Sequence, residues 1–97
     1  MSLKAELFEF EWDKGNLGKN KKHQVQDSES EEPFFDTNKV IFKDVLHSGT
    51  EERSILLGRT KKERLLYIVF TIRNSRVRII SARDVNRKEV FLYEKQA

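Results

Sequence analysis

The chain of 97 residues contains no cysteine. That absence excludes disulfides, thiolate zinc sites, iron–sulfur clusters and cysteine nucleophiles at once. Histidine is almost as scarce: His23 and His47 are the only two, too few for a histidine metal cage. Four glycines are present, and Gly15, Gly18, Gly49 and Gly58 lack the spacing of a phosphate-cradling loop or a dinucleotide fingerprint. No cofactor and no metal are therefore expected. No apolar run approaches the roughly 20 residues of a membrane span. The opening Met1–Glu6 has no signal-peptide apolar region. The expectation is one cytoplasmic domain over residues 1–97, without membrane contact.

What is present is enough Ile, Leu, Val and Phe for a folded core, and a charge that is uneven along the chain. Residues 1–47 hold seven lysines, no arginine and ten carboxylates, a net −3; residues 48–97 hold twelve basic and six acidic groups, a net +6. All eight arginines lie in the second half. A guanidinium matches phosphate or carboxylate in a bidentate way, so this half points to a polyanion or an acidic protein partner. A solvated strand face accounts for the same pattern.

The periodicities predict an α+β fold: an antiparallel sheet of four to five strands, two N-terminal helices and a C-terminal helix. Phe8-Glu9-Phe10-Glu11-Trp12 alternates as a half-buried strand does. Asp13 caps a helix to about His23, with Leu17 toward the core, and a second short helix begins near Ser30 because Pro33 must fall in a first turn. Strands follow at Val40–Phe42, Ser54–Arg59, Leu65–Arg73 and Arg76–Ala82. Leu65–Ile72 is apolar on both faces and belongs in the middle of the sheet. On an ideal last strand Arg76, Arg78, Ile80 and Ala82 share one face, and Val77, Ile79, Ser81 and Arg83 the other. Asn86-Arg87-Lys88-Glu89 is a capping box, with Val85 and Val90 as its hydrophobic staple.

Four groups of residues, in order, resemble the BrnT family of bacterial toxins. They are Trp12-Asp13 with Asn20 and Lys22-His23, then Leu57-Gly58-Arg59-Thr60, then Arg64-Leu65-Leu66. The fourth is Arg78-Ile79-Ile80-Ser81-Ala82-Arg83 followed by Arg87, Glu89, Tyr93 and Glu94. The chain departs from the family pattern at Gln24, where glycine is usual, and at Pro33, where an aliphatic residue is commoner. The resemblance implies a type II toxin with a RelE-like fold, a ribonuclease that arrests growth. It also implies a BrnA-type antitoxin as partner, with DNA reached only through that antitoxin.

Metal-free cleavage of RNA needs a base, an acid and positive charge on a pentacovalent transition state. Arg78, Arg83 and Arg87 are the candidates for the charge. Arg78 and Arg83 have opposite parity on an ideal strand and converge only if the chain bulges near Ala82. The alternative for Arg83 is a pair with Glu89 or Asp84 that organises the helix start. His23 is the candidate acid or base, or else a helix-terminal histidine satisfied by the last carbonyls. Lys22, Arg59 and Arg76 are candidate RNA contacts. Tyr93 is placed either against a base or in the core. His47 is read as a solvated loop residue. A non-catalytic RNA-binding module and a protein-interaction domain fit the same basic face. An antitoxin is expected to dock acidic and apolar residues over or beside that face.

Overall fold

A computed structural model describes residues 8–46 and 49–96. The Met1–Glu6 opening and His47 lie outside the described residues.

Four antiparallel strands form one sheet in chain order: β1 (Val40–Lys43), β2 (Ser54–Arg59), β3 (Leu65–Arg73) and β4 (Arg76–Asp84). The run read as apolar on both faces is β3, which lies between β2 and β4. Its hairpin with β4 turns at Asn74 and Ser75, both at positive φ (52° and 64°), the paired left-handed geometry that fits the strand twist.

β4 departs from the ideal strand. The register slips between Val69 and Phe70: Phe70 faces Ile79, Val69 faces Ser81, and Ile80 is the extra residue. A bulge of this kind reverses the parity of everything beyond it. Ala82 therefore joins Val77 and Ile79 in the core. By the same register Arg76, Arg78, Ser81 and Arg83 share the opposite face. The grouping expected for an unbulged strand is corrected accordingly.

The first face of the sheet is covered by the N-terminal half. Phe34, Leu56, Leu66, Ile68 and Phe70 are buried there, with Phe8, Phe10 and Trp12 packed against them. The second face is covered by α2 (Arg87–Gln96), whose Tyr93 and Val90 pack with Ile55, Leu57, Leu65 and Tyr67.

Three N-terminal expectations are corrected. Phe8–Trp12 keeps its alternation but is not a full strand: it runs beside β4 with a single parallel bridge, Phe10 to Val77. Asp13 does not start an α-helix to His23. Its carboxylate accepts from the Gly15 N–H at 2.7 Å, the Asn16 side chain accepts from the Asp13 N–H at 2.8 Å and the Leu17 N–H donates to the Asp13 carbonyl at 2.8 Å, the bonds of a helix start, but only one turn forms. Gly18 then turns left-handed at φ 69°, and only a 3-10 turn, Lys19–His23, follows; Leu17 is exposed. The second helix starts earlier than expected, at Asp27. α1 (Asp27–Glu31) is capped reciprocally by Gln26 and Glu29 and passes into a 3-10 turn, Glu32–Phe35, with Pro33 in its first turn.

Candidate active site

One end of the sheet gathers the C-terminus of β4, the N-terminus of α2, the start of β3 and the turn that ends at His23. Arg64, the residue just before β3, ties these together. Its Nε and Nη2 donate to the two oxygens of Asp84 at 2.7 and 3.0 Å. Nη1 reaches Glu29 at 3.2 Å and the Gln24 carbonyl at 2.8 Å, and Nη2 also reaches the His23 carbonyl at 3.2 Å. These bonds to Asp84 raise the Arg64 pKa and hold the Asp84 carboxyl below its ordinary value, against the opposing effect of burial.

Arg83 is the second hub. Its fork grips both oxygens of Glu89 at 2.9 Å, and Nη1 also donates to the Asp84 carbonyl at 3.0 Å. The guanidinium carbon lies 3.9 Å from the centroid of the Tyr67 ring, a cation–π stack. Glu89 closes the capping box: its Oε1 accepts from the Asn86 N–H and the Asn86 side chain accepts from the Glu89 N–H, each at 2.9 Å. Burial works to raise the Glu89 carboxyl, but the Arg83 fork and the Asn86 N–H outweigh it and hold the group low. The pairing weighed for Arg83, with Glu89 and the Asp84 segment at the helix start, is present. Arg87 is the first residue of α2 and is exposed; among the described residues no carboxylate pairs with it. Lys22 and His23 are exposed on the adjoining turn.

Arg78 does not join this cluster. The bulge puts it on the same face as Arg83, but it stands opposite Thr71 while Arg83 stands opposite Tyr67. Four residues of strand separate them, about 13 Å. Its guanidinium is clamped by Asp13 at 2.8 and 2.9 Å and by Glu11 at 3.2 Å. A Cβ on Gly15 would overlap the Arg78 Nη2, so the glycine is what lets the turn close over the pair. Arg76 sits at the far hairpin, 3.6 Å from Glu9.

Arg59 and Tyr93 meet at a third place. The Arg59 guanidinium carbon is 5.3 Å from the Tyr93 ring centroid, and the Tyr93 hydroxyl donates to Asp36 at 2.6 Å. Tyr93 is buried, so its ring offers no face to a base. The groove beside them, about 1020 Å³, is lined by Glu31, Glu32, Asp36, Glu63 and Glu94 against Arg59 and Lys61, a sign that repels a phosphate backbone. Arg59 and Tyr93, expected as RNA contacts, are thus engaged with each other and with Asp36 beside this acidic groove.

Sequence reasoning missed Arg64 and Asp84 as members of the cluster. Arg64 carries no local pattern of its own; its partners lie 20 to 41 residues away in the chain.

Fold and site together define a small α+β protein in which Arg64 ties the turn ending at His23 to the last strand, with Arg83 at that strand's end and Arg87 opening the closing helix. A family model described as "Ribonuclease toxin, BrnT, of type II toxin-antitoxin system" matches residues 12–89, and the chain belongs to that family. The match runs from Trp12 to Glu89 and so contains the whole cluster. Membership makes RNA the substrate class and an antitoxin the partner. No curated protein matches the chain. Among the described residues no helix is long and apolar enough to cross a membrane.

Proposed function

We propose that this toxin cleaves RNA without a metal ion, in the cytoplasm, at the corner formed by His23, Arg83 and Arg87, and that a BrnA-type antitoxin silences it. The reading is supported by Arg64, which ties Asp84 to the turn that ends at His23, and by the chain order that puts Arg83 at the end of β4 and Arg87 at the start of α2. The ribose 2′-oxygen attacks the adjacent phosphorus, the 5′-oxygen leaves, and a 2′,3′-cyclic phosphate and a 5′-hydroxyl result. One proton is taken from the 2′-hydroxyl and one is given to the 5′-oxygen; His23 serves one of these transfers, since its ordinary pKa lies near neutrality. Arg83 and Arg87 stabilise the charge that grows on the phosphoryl oxygens. Lys22 lies on the same exposed turn as His23 and contacts the phosphate backbone. Arg78 acts as a clamp on the N-terminal segment. The sheet with its single closing helix fits a RelE-like toxin.

The test is incubation of the purified protein with RNA in EDTA, reading the termini of the products. Cleavage to cyclic phosphate ends is expected. Arg83→Ala is expected to lose about a hundredfold in rate or more, with folding verified by circular dichroism. RNA that is bound but never cut would establish the binding-module reading in its place.

A further inference from the structure

The two edges of the sheet are treated differently. The β4 edge is occupied: Glu11 donates to the Val77 carbonyl at 2.8 Å and Val77 donates to the Glu9 carbonyl at 2.7 Å. The β1 edge is open. The Asp44 N–H donates to the Arg53 carbonyl at 2.9 Å, and β1 continues this register as Lys43–Ser54, Phe42–Ile55, Ile41–Leu56 and Val40–Leu57. Hydrogen-bonded pairs alternate along an antiparallel ladder, so Phe42 and Val40 bond to β2. Ile41 and Lys43 therefore turn their N–H and C=O groups outward, and among the described residues no strand meets them.

This edge is apolar as well as open. Ile41 and Phe42 are exposed on opposite faces of the sheet, and the chain continues into Val45 and Leu46, 79% and 90% exposed. Exposed apolar side chains beside unpaired backbone form a template for an added strand. Charge selects the occupant. Lys39 and Lys43 bracket the edge; Lys43 lies 3.1 Å from Glu52, but with the two side chains 71% and 62% exposed this pair holds the lysine only weakly, so a second copy of this chain would still bring four lysines to one seam, the device by which edge strands resist self-pairing. An acidic, apolar strand from another protein meets no such cost.

We propose that the β1 edge is the anchoring site of the antitoxin, which adds an extended segment to the sheet through Ile41 and Lys43. The segment places apolar side chains against Ile41 on one face and Phe42 on the other, with carboxylates toward Lys39 and Lys43. This rests on the toxin reading for the identity of the partner, and it adds where that partner grips. Phe42 shares its face with Val69, Ser81 and Arg83 by register, so a chain anchored at β1 leads over the sheet toward the active corner.

The experiment compares the full-length chain with Ile41→Pro and Ile41→Thr, using the purified cognate antitoxin as probe in titration calorimetry. Proline removes an outward N–H that β2 does not use, so the ladder between β1 and β2 stays whole. Ile41→Pro is expected to lose about tenfold or more in antitoxin affinity while keeping its melting temperature and RNA cleavage. Ile41→Thr, which retains the N–H, is expected to bind much closer to the parent. Amide exchange at Ile41 and Lys43 is expected to slow on complex formation. Unchanged affinity of Ile41→Pro, or no protection of these amides, overturns the proposal. A toxin dimer in sedimentation that Ile41→Pro dissociates also overturns it, in favour of self-pairing. RNA cleavage is read on the same samples, so failure of the nuclease reading shows there and leaves the docking result standing.

Discussion

Truncating Arg64 to alanine isolates what the side chain contributes. It would leave Asp84, Glu29 and the carbonyls of His23 and Gln24 without their shared donor. The terms are unequal. Asp84 is 64% exposed at its side chain, and water replaces most of what it loses. Glu29 and Arg64 are 24% and 25% exposed, and the two carbonyls end a short turn with no further helix to absorb them. About 1 kcal/mol for the partly buried Glu29 contact, with less for the two exposed carbonyls, sums to about 1–2 kcal/mol of lost stability. For a domain of this size that is a fall of about 5–15 °C in melting temperature. Arg64→Lys is expected to recover less than half, because an ammonium is a point donor and cannot span acceptors on three elements. Urea unfolding followed by circular dichroism at pH 7 gives the magnitude. RNA cleavage, measured well below each variant's melting temperature, is expected to drop further than the folded fraction does, since the turn bearing His23 is released. A loss under about 0.5 kcal/mol, or a lysine variant equal to the parent, would refute the reasoning.

Arg78→Ala is expected to loosen the N-terminal segment, read as faster exchange of the Val77 amide that bonds to Glu9, while cleavage per folded molecule is retained; loss of cleavage without faster exchange would return Arg78 to the active site. Gly58→Ala is expected to cost about 1–3 kcal/mol in urea unfolding, because the added Cβ would stand 2.8 Å from the Pro33 carbonyl oxygen, a backbone atom with nowhere to go. Tyr93 is pushed up to about 12, first by burial and then by its bond to Asp36. Its contribution to stability is thus full below the unfolded tyrosine pKa near 10 and is lost as pH rises toward about 12, an alkaline limb that Tyr93→Phe is expected to abolish in pH-dependent melting.

The sheet was legible because its signals are local. Double-faced hydrophobicity placed β3, and the capping box and staple placed α2 almost to the residue. The N-terminal half was less legible because its structure is tertiary. Asp13 is spent on the Arg78 guanidinium, and Asn16 and Asn20 on distant backbone: the Asn16 amide donates to the Ile79 carbonyl at 3.1 Å and the Asn20 oxygen accepts from the Ala82 N–H at 3.0 Å. No helical periodicity records such bonds. The departure at Gln24 has a visible counterpart, since this residue is left-handed at φ 59°, the conformation that favours the glycine usual there. In the site, the strand parity of Arg78 and Arg83 hinged on one inserted residue. A bulge near Ala82 was named as the condition for convergence; it is present at Ile80, and it brings the two arginines to one face without bringing them together.

The charge asymmetry along the chain is largely settled inside the molecule. Arg78 is held by Glu11 and Asp13, Arg64 by Glu29, and Arg76 lies beside Glu9, so the acidic first half neutralises the basic second half across the sheet. A count of arginines therefore overstates the surface offered to RNA. What remains exposed at the proposed active corner is a narrower set: Lys22 and His23 on the turn, and Arg87 and Lys88 at the start of α2. Arg83 stands between them with its fork on Glu89. A phosphate approaching Arg83 must share that fork with Glu89 or displace it. Glu89 in turn caps α2, so displacement would loosen the first turn of the helix that carries Arg87. On the proposed mechanism, substrate binding, the helix start and the second guanidinium would thereby be coupled through one carboxylate. Arg83 keeps its tie to the Asp84 carbonyl in either case, and Asp84 keeps its grip on Arg64 beside His23. On the proposed mechanism, the frame beside His23 would stay fixed while Arg83 changed partner.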